Sequence, residues 1–288
     1  MTATIVETLD EAPIRPRRMR SGLNRAASRS GLGLAILIIV VVVAWAVAPG
    51  LFTHWDPYQP DPSYRLKGPS VRHWFGTDLL GRDLFSRTVH GAINSLSGGL
   101  IAVTVGLVAG AVLGLLAGYY RGWVDVVIMR LVDVLLAIPG LMLAMSIVAA
   151  FGFSTRHAAI AVGVGSVSAF ARLMRSEVLR VRGTDFVEAA VGSGVGSGAI
   201  IVRHLLPNSL RPVLALGALQ FGMAILAIAT LGYLGFGTPP PTPEWGLLIA
   251  DGRNYMAVAW WLTVLPGLVL LAVVLSAGRI SAQLRERL

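Results

Sequence analysis

Few side chains in this sequence could do covalent or metal chemistry, and they are scattered. The 288 residues hold five histidines, 15 carboxylates and no cysteine. His54, His73, His90, His157 and His204 show no ligand-type clustering, so no metal site is expected. The lack of cysteine excludes disulfides and thiolate sites. No Gly-x-x-x-x-Gly-Lys-[Ser/Thr] phosphate loop occurs, so nucleotide is not bound by that route. No catalytic residue is therefore assigned. What remains is recognition, concentrated in EAAVGSGVGSGAIIVRHLLPN, from Glu188 to Asn208. Glu-Ala-Ala comes first, glycine falls six residues after the glutamate, and an aliphatic stretch ends in Leu-Pro. A plain linker needs no such pattern. A docking element read by a second protein does.

The elements that must carry this segment are apolar. The chain is 55% hydrophobic and 14% charged, against about 25% charge in an ordinary soluble domain. Long uncharged runs alternate with short basic patches, which marks a polytopic membrane protein. The net charge of +9 then reflects basic membrane loops rather than a nucleic-acid partner. A spanning helix needs about 20 apolar residues, and six segments meet or approach that length. They are Gly31–Ala48, a stretch within Thr88–Tyr120, Val127–Phe153, Ala158–Ala171, a stretch within Pro212–Gly237, and Met256–Gly278 with a kink at Pro266. The expected fold is all-α, with residues 1–30 a basic tail, its first 20 residues disordered, and residues 31–288 the six-span domain. If the spans start inside, 17 of the 24 basic residues fall on the cytoplasmic side, placing both termini there. Ala44-Trp45-Ala46 and Ala46-Val47-Ala48 resemble signal-peptide cleavage sites. The apolar run exceeds the usual ~7–15 residues, and its removal would leave five spans, so the helix is read as retained.

Charge inside the spans is nearly absent. Arg130 and Asp133, three residues apart, are read as a structural pair at the cytoplasmic boundary. Ion-driven carriers usually carry buried carboxylates, so a standalone ion-coupled transporter is the weaker reading. A non-transporting scaffold would leave the Glu188 pattern unexplained. Gly106, Gly110, Gly114 and Gly118 recur every four residues and line one helix face, which allows close helix approach. A sliding surface is the sharper alternative. In the loop at about 176–211, Asp185 can cap a short helix, with Glu188 reaching back in a capping box. Gly192, Gly194, Gly196 and Gly198 together cost a continuous helix about 3–4 kcal/mol, so a break is expected. A second helix from Ala199 to Leu206 should end before Pro207.

Glu188, Ala189, Ala190, Gly194, Leu206 and Pro207 match, residue by residue, the Glu-Ala-Ala…Gly…Leu-Pro loop of ABC importer permeases, which the chain resembles. Four further segments resemble the dipeptide/oligopeptide/nickel permeases, C-type subunit: GTDLLGRDLFSR (Gly76–Arg87), MRLVDVLLAIPG (Met129–Gly140), RHLLPN (Arg203–Asn208) and PPTPEWG (Pro240–Gly246). The resemblance covers residue 30 to the C-terminus. It implies a cytoplasmic-membrane permease whose loop docks on an ATPase subunit. Its implied partners are a homologous B-type permease, two ATPase subunits or domains and an extracytoplasmic solute-binding protein. ATP and Mg are implied in those partners, with no cofactor in this chain. Peptide is favoured over nickel as cargo.

Within Gly76, Thr77, Asp78, Gly81, Arg82 and Asp83, a turn and helix cap before the second span is expected. Arg82 and Asp83 are also candidates for the outer edge of the subunit pair. Trp245 is read as an interfacial anchor, with a contact from this loop to the binding protein as the sharper reading. Gln220 and Met223 are candidates for the translocation path. Ile228 stands where relatives often carry a glutamate. If that position faces the path, cargo should be less cationic or more apolar.

Overall fold

A computed structural model describes residues 21–286. The predicted disordered tail, residues 1–20, lies outside them. Helix α1 spans Ser21–Val47, ten residues ahead of the predicted start at Gly31. A loop with two short 3-10 turns leads to α2 (Leu84–Tyr120), α3 (Gly122–Ala137), α4 (Gly140–Phe151) and α5 (Thr155–Arg182). The hairpin follows as α6 (Asp185–Gly192) and α7 (Ser197–Ile200), which runs into α8 (Leu206–Tyr233). Then come the short α9 (Trp245–Gly252) and α10 (Trp261–Glu286). Among the described residues there is no strand, only one isolated bridge between Thr77 and Asp83.

Among the described residues four helices are long and apolar enough to cross a membrane: residues 84–120, 155–182, 197–233 and 261–285. The predicted third span is not one straight helix. α3 and α4 meet at 88°, because Pro139 forces Ile138 out of the helical region, to φ −88° and ψ 125°. Counted together they make a fifth candidate, and the apolar part of α1, Gly31–Val47, is a shorter sixth segment. The last span begins at Trp261 rather than Met256, and the fourth extends well past Ala171, to Arg182.

The glycine face of α2 is a packing face. A Cβ on Gly106 would lie 1.9 Å from Ser166 Oγ, on Gly110 2.7 Å from the Val167 carbonyl, and on Gly114 2.3 Å from the Ala171 carbonyl. Gly163 on α5 answers in kind, 2.7 Å from the Ala102 carbonyl. With the glycines bare, α2 and α5 touch backbone to backbone along several turns.

Two local expectations about the hairpin are corrected. Thr184, not Asp185, is the N-cap of α6, and Asp185 and Glu188 both fall in its first turn without forming a capping box. The second helix does not stop before Pro207. It continues from Ser197 to Tyr233 through a wide π turn at Ile201–Leu205. There Leu206 N–H donates to the Ile201 carbonyl, five residues back. The Asn208 side chain donates to the His204 carbonyl at 2.7 Å. Such a turn shifts the carbonyls that a proline ring would otherwise strike.

Candidate coupling hairpin, cavity and outer loop

The hairpin is anchored at its base and exposed at its tip. Val187, Ile200, Leu205 and Val213 pack with Phe170, Met174, Val178 and Val181 of α5 in one buried cluster. Above that base the matched residues open outward. Glu188, Ala189, Gly194 and Pro207 are exposed, Ala190 and Leu206 half-buried. Gly194 makes the turn with φ +76°, a region side chains disfavour. Gly192, Gly196 and Gly198 have open space where a Cβ would stand and no such φ, so Gly194 is the glycine the turn requires. Phe186, Val191, Val195 and Val202 add exposed apolar surface around it.

The charges near this end pair between helices. Asp133 bonds Arg172 of α5 at 2.7 Å, which replaces the expected pair with Arg130. Arg130 makes no ion pair among the described residues. Asp125, which the sequence reading passed over, takes a two-pronged contact from Arg175 at 2.5 and 2.6 Å. These pairs tie α3 to α5, and α5 in turn carries the hairpin. An i,i+3 spacing could only propose a partner on the same helix.

At mid-bundle, a cavity of about 370 Å³ opens beside α4, α5 and α8, lined by Leu141, Ser166, Gln220 and Met223 among others. Both path candidates therefore share one cavity, and no charged side chain lines it. Ile228 does not face it. Its side chain is buried against Gly98, so the inference about cargo charge drawn from that position loses its footing.

At the far end of α2, the loop that precedes it closes on itself. Gly76 and Gly81 have φ +74° and +80°, and a Cβ on Gly81 would lie 1.7 Å from the Asp61 carbonyl. The Asp78 carboxylate accepts from Leu80 N at 2.8 Å, Arg82 N at 2.9 Å and Arg82 Nε at 2.7 Å. Thr77 Oγ1 accepts from Lys67 N at 2.9 Å. Asp83 caps α2, accepting from Ser86 N at 2.6 Å, and its other oxygen meets His73 Nδ1 at 2.8 Å. Arg82 and Asp83 are thus buried and engaged within this chain.

Trp245 is a second correction. It is fully buried, its Nε1 donating to the Thr88 carbonyl at 2.9 Å, and it wedges α9 against α2 rather than lying at an interface. Beside it Glu244, also missed by the sequence reading, is 1% exposed. It accepts from Gly246 N at 2.9 Å and Leu247 N at 3.0 Å. Burial pushes its carboxyl above the usual range. A raised acid makes the folded state bind the proton more readily, so stability falls as pH rises from the ordinary value near 4.5 toward the folded one. Glu244→Gln should remove that slope in thermal unfolding. It should also cost about 1–3 kcal/mol, because its amide points a donor at a backbone donor.

A bundle of long apolar helices with an anchored, exposed hairpin at one end is the architecture of a multi-pass α-helical membrane protein. Residues 110–288 match the family described as "Binding-protein-dependent transport system inner membrane component", and the chain belongs to that family: it is an ABC importer permease. It is 46% identical to the dipeptide transport system permease protein DppC of Alkalihalophilus pseudofirmus over 230 residues, 80% of this chain and 76% of that one. It is 40% identical to the glutathione transport system permease protein GsiD of Pectobacterium atrosepticum, over 77% of this chain and 74% of that one. The fold resembles that of the MetNI methionine ABC transporter in an inward-facing form, at TM-score 0.56 and 18% identity, over 70% of this chain and 97% of that one.

Proposed function

We propose that this chain is the C-type permease subunit of an ATP-driven peptide importer. The observation that carries the reading is the exposed Glu188–Gly194 surface on a buried base, in a chain whose relatives are named for dipeptide and glutathione transport. In this reading both termini and the hairpin face the cytoplasm. The hairpin seats on an ATPase subunit that binds ATP and Mg. A homologous B-type permease completes the path, and an extracytoplasmic binding protein delivers the cargo. Closure of the ATPase pair moves the hairpins, and the buried cluster under Val187 transmits that motion to α5 and α2. The spans then rock around the central path. The uncharged cavity at Gln220 and Met223 is the share of that path contributed by this chain. A side-chain amide there can hydrogen-bond a peptide backbone, while the apolar walls tolerate varied side chains.

The test is uptake into vesicles by the complete importer, with a labelled dipeptide, glutathione and nickel supplied separately. ATP-dependent accumulation of a peptide is expected. Accumulation of nickel alone would overturn the cargo assignment. Gln220→Leu should lower peptide uptake several-fold, as one hydrogen bond worth about 1 kcal/mol predicts, without changing the amount of permease in the membrane.

A further inference from the structure

The corner where α2 turns into α3 lies beside the hairpin. A cavity of about 320 Å³ opens there, lined by Arg121, Arg182, Gly183, Val187, Glu188 and Val191. Arg121 is held at φ 54° and ψ −164°, a region that suits glycine and strains any other residue. Its side chain is exposed and makes no hydrogen bond or ion pair among the described residues. Arg182 donates through Nη1 to the Tyr119 carbonyl and stacks over the Tyr119 ring at 5.3 Å. A guanidinium has five N–H donors, so most of this one's capacity is open.

The surroundings point to the kind of ligand. Tyr120 and Trp123, on either side of Arg121 in the chain, are 56% and 73% exposed. Exposed aromatic residues of this type settle at the level of lipid headgroups. Beyond them α3 presents Val126, Val127 and Leu131 outward, an apolar face suited to acyl chains. The cavity holds two cations and one carboxylate, Glu188. A net single positive charge matches a singly charged phosphodiester, and guanidinium pairs with phosphate oxygens in a favourable planar geometry.

We propose that this corner binds the phosphodiester headgroup of a membrane lipid. Arg121 and Arg182 donate to the phosphate oxygens, and the exposed Val191 meets the glycerol end. The lipid bridges the ends of α2 and α5 to α6, and so sets the angle at which the hairpin is presented. The site does not depend on which solute is carried, and its test needs neither cargo nor ATP.

The measurement is native mass spectrometry of the assembled importer, counting phospholipids retained after exchange into phosphatidylglycerol, phosphatidylethanolamine or phosphatidylcholine. Wild type should keep one phospholipid more per copy of this chain than Arg121→Gly, and Arg121→Gln should bind it about tenfold more weakly. Arg121→Gly places glycine in a conformation that glycine prefers, so its melting temperature should not fall. Preference for phosphatidylglycerol would assign an anionic lipid, and equal retention of all three would assign the phosphodiester alone. Displacement of the bound lipid by inorganic phosphate would show that free phosphate shares the site. Equal lipid counts in wild type and both variants would overturn the proposal. So would a lowered melting temperature in Arg121→Gly with lipid retention unchanged, since that outcome makes Arg121 purely structural.

Discussion

Gly114→Val should drive α2 away from α5 and sharply reduce both the melting temperature and the yield of the inserted protein. A Cβ at residue 114 would lie 2.3 Å from the Ala171 carbonyl, 2.8 Å from Met174 Cβ and 2.9 Å from the Arg175 amide. Two of those three atoms are backbone, so no rotamer change can make room. Overpacking a core costs about 1–3 kcal/mol when side chains can yield. Here the helix itself must move, and the upper end of that range is the expected minimum. The displacement also reaches the base of the hairpin, because Met174 belongs to the cluster that holds Val187. Gly278→Ala is the control. It lies in α10 with open space around the added methyl, and alanine is favoured over glycine in a helix by about 0.8–1 kcal/mol. Equal melting temperatures for the two variants would refute the packing account.

The same glycines show what sequence could and could not reveal. A four-residue repeat fixes a helix face, and here the face was enough to predict close approach. It could not name the partner helix, which is α5, because nothing in a single chain's spacing encodes which neighbour arrives. The ion pairs failed for that reason. Arg130 and Asp133 share a face of α3, yet Asp133 reaches 39 residues along the chain to Arg172. Trp245 and Glu244 followed a different course. Composition alone makes a Trp beside prolines look like a surface anchor. Burial of both follows from the start of α9 wedging between α2 and α8, with Gly246 so close to α8 that a Cβ would lie 2.2 Å from the Ala229 carbonyl. That is a tertiary fact without a local signature. Pro207 misled in the opposite sense. The residue before a proline usually leaves the helix, but a π turn ahead of it kept Leu206 at φ −57° and ψ −51°. By contrast, the turn and helix cap expected of GTDLLGRD are present, since a glycine at positive φ and an aspartate cap are local requirements.

Reversing the charge at Glu188, or placing arginine at Gly194, should abolish substrate-stimulated ATP hydrolysis by the assembled complex while leaving the permease inserted and folded. The two substitutions act differently. Glu188 is exposed and outside the buried clusters, so Glu188→Arg alters the charge the ATPase partner meets without disturbing the hairpin's packing, while also adding a cation to the neighbouring cavity. Gly194→Arg must place a side chain at φ +76°, at a cost of about 1–2 kcal/mol, which reshapes the turn between α6 and α7. The base under Val187 and Ile200 is untouched in either case, and this separates docking from folding. Gly196→Ala is the companion measurement. Residue 196 has φ −62° and open space around it, so alanine there should leave hydrolysis coupled to substrate. A fourth variant, Val187→Asp, should fail in another way, by burying a carboxylate in the cluster and releasing the hairpin from α5. Coupling that survives in both Glu188→Arg and Gly194→Arg would place the ATPase contact elsewhere on the chain. Coupling lost in those two but kept in Gly196→Ala would locate it on the exposed turn, where one glycine is required by geometry and its three neighbours are not.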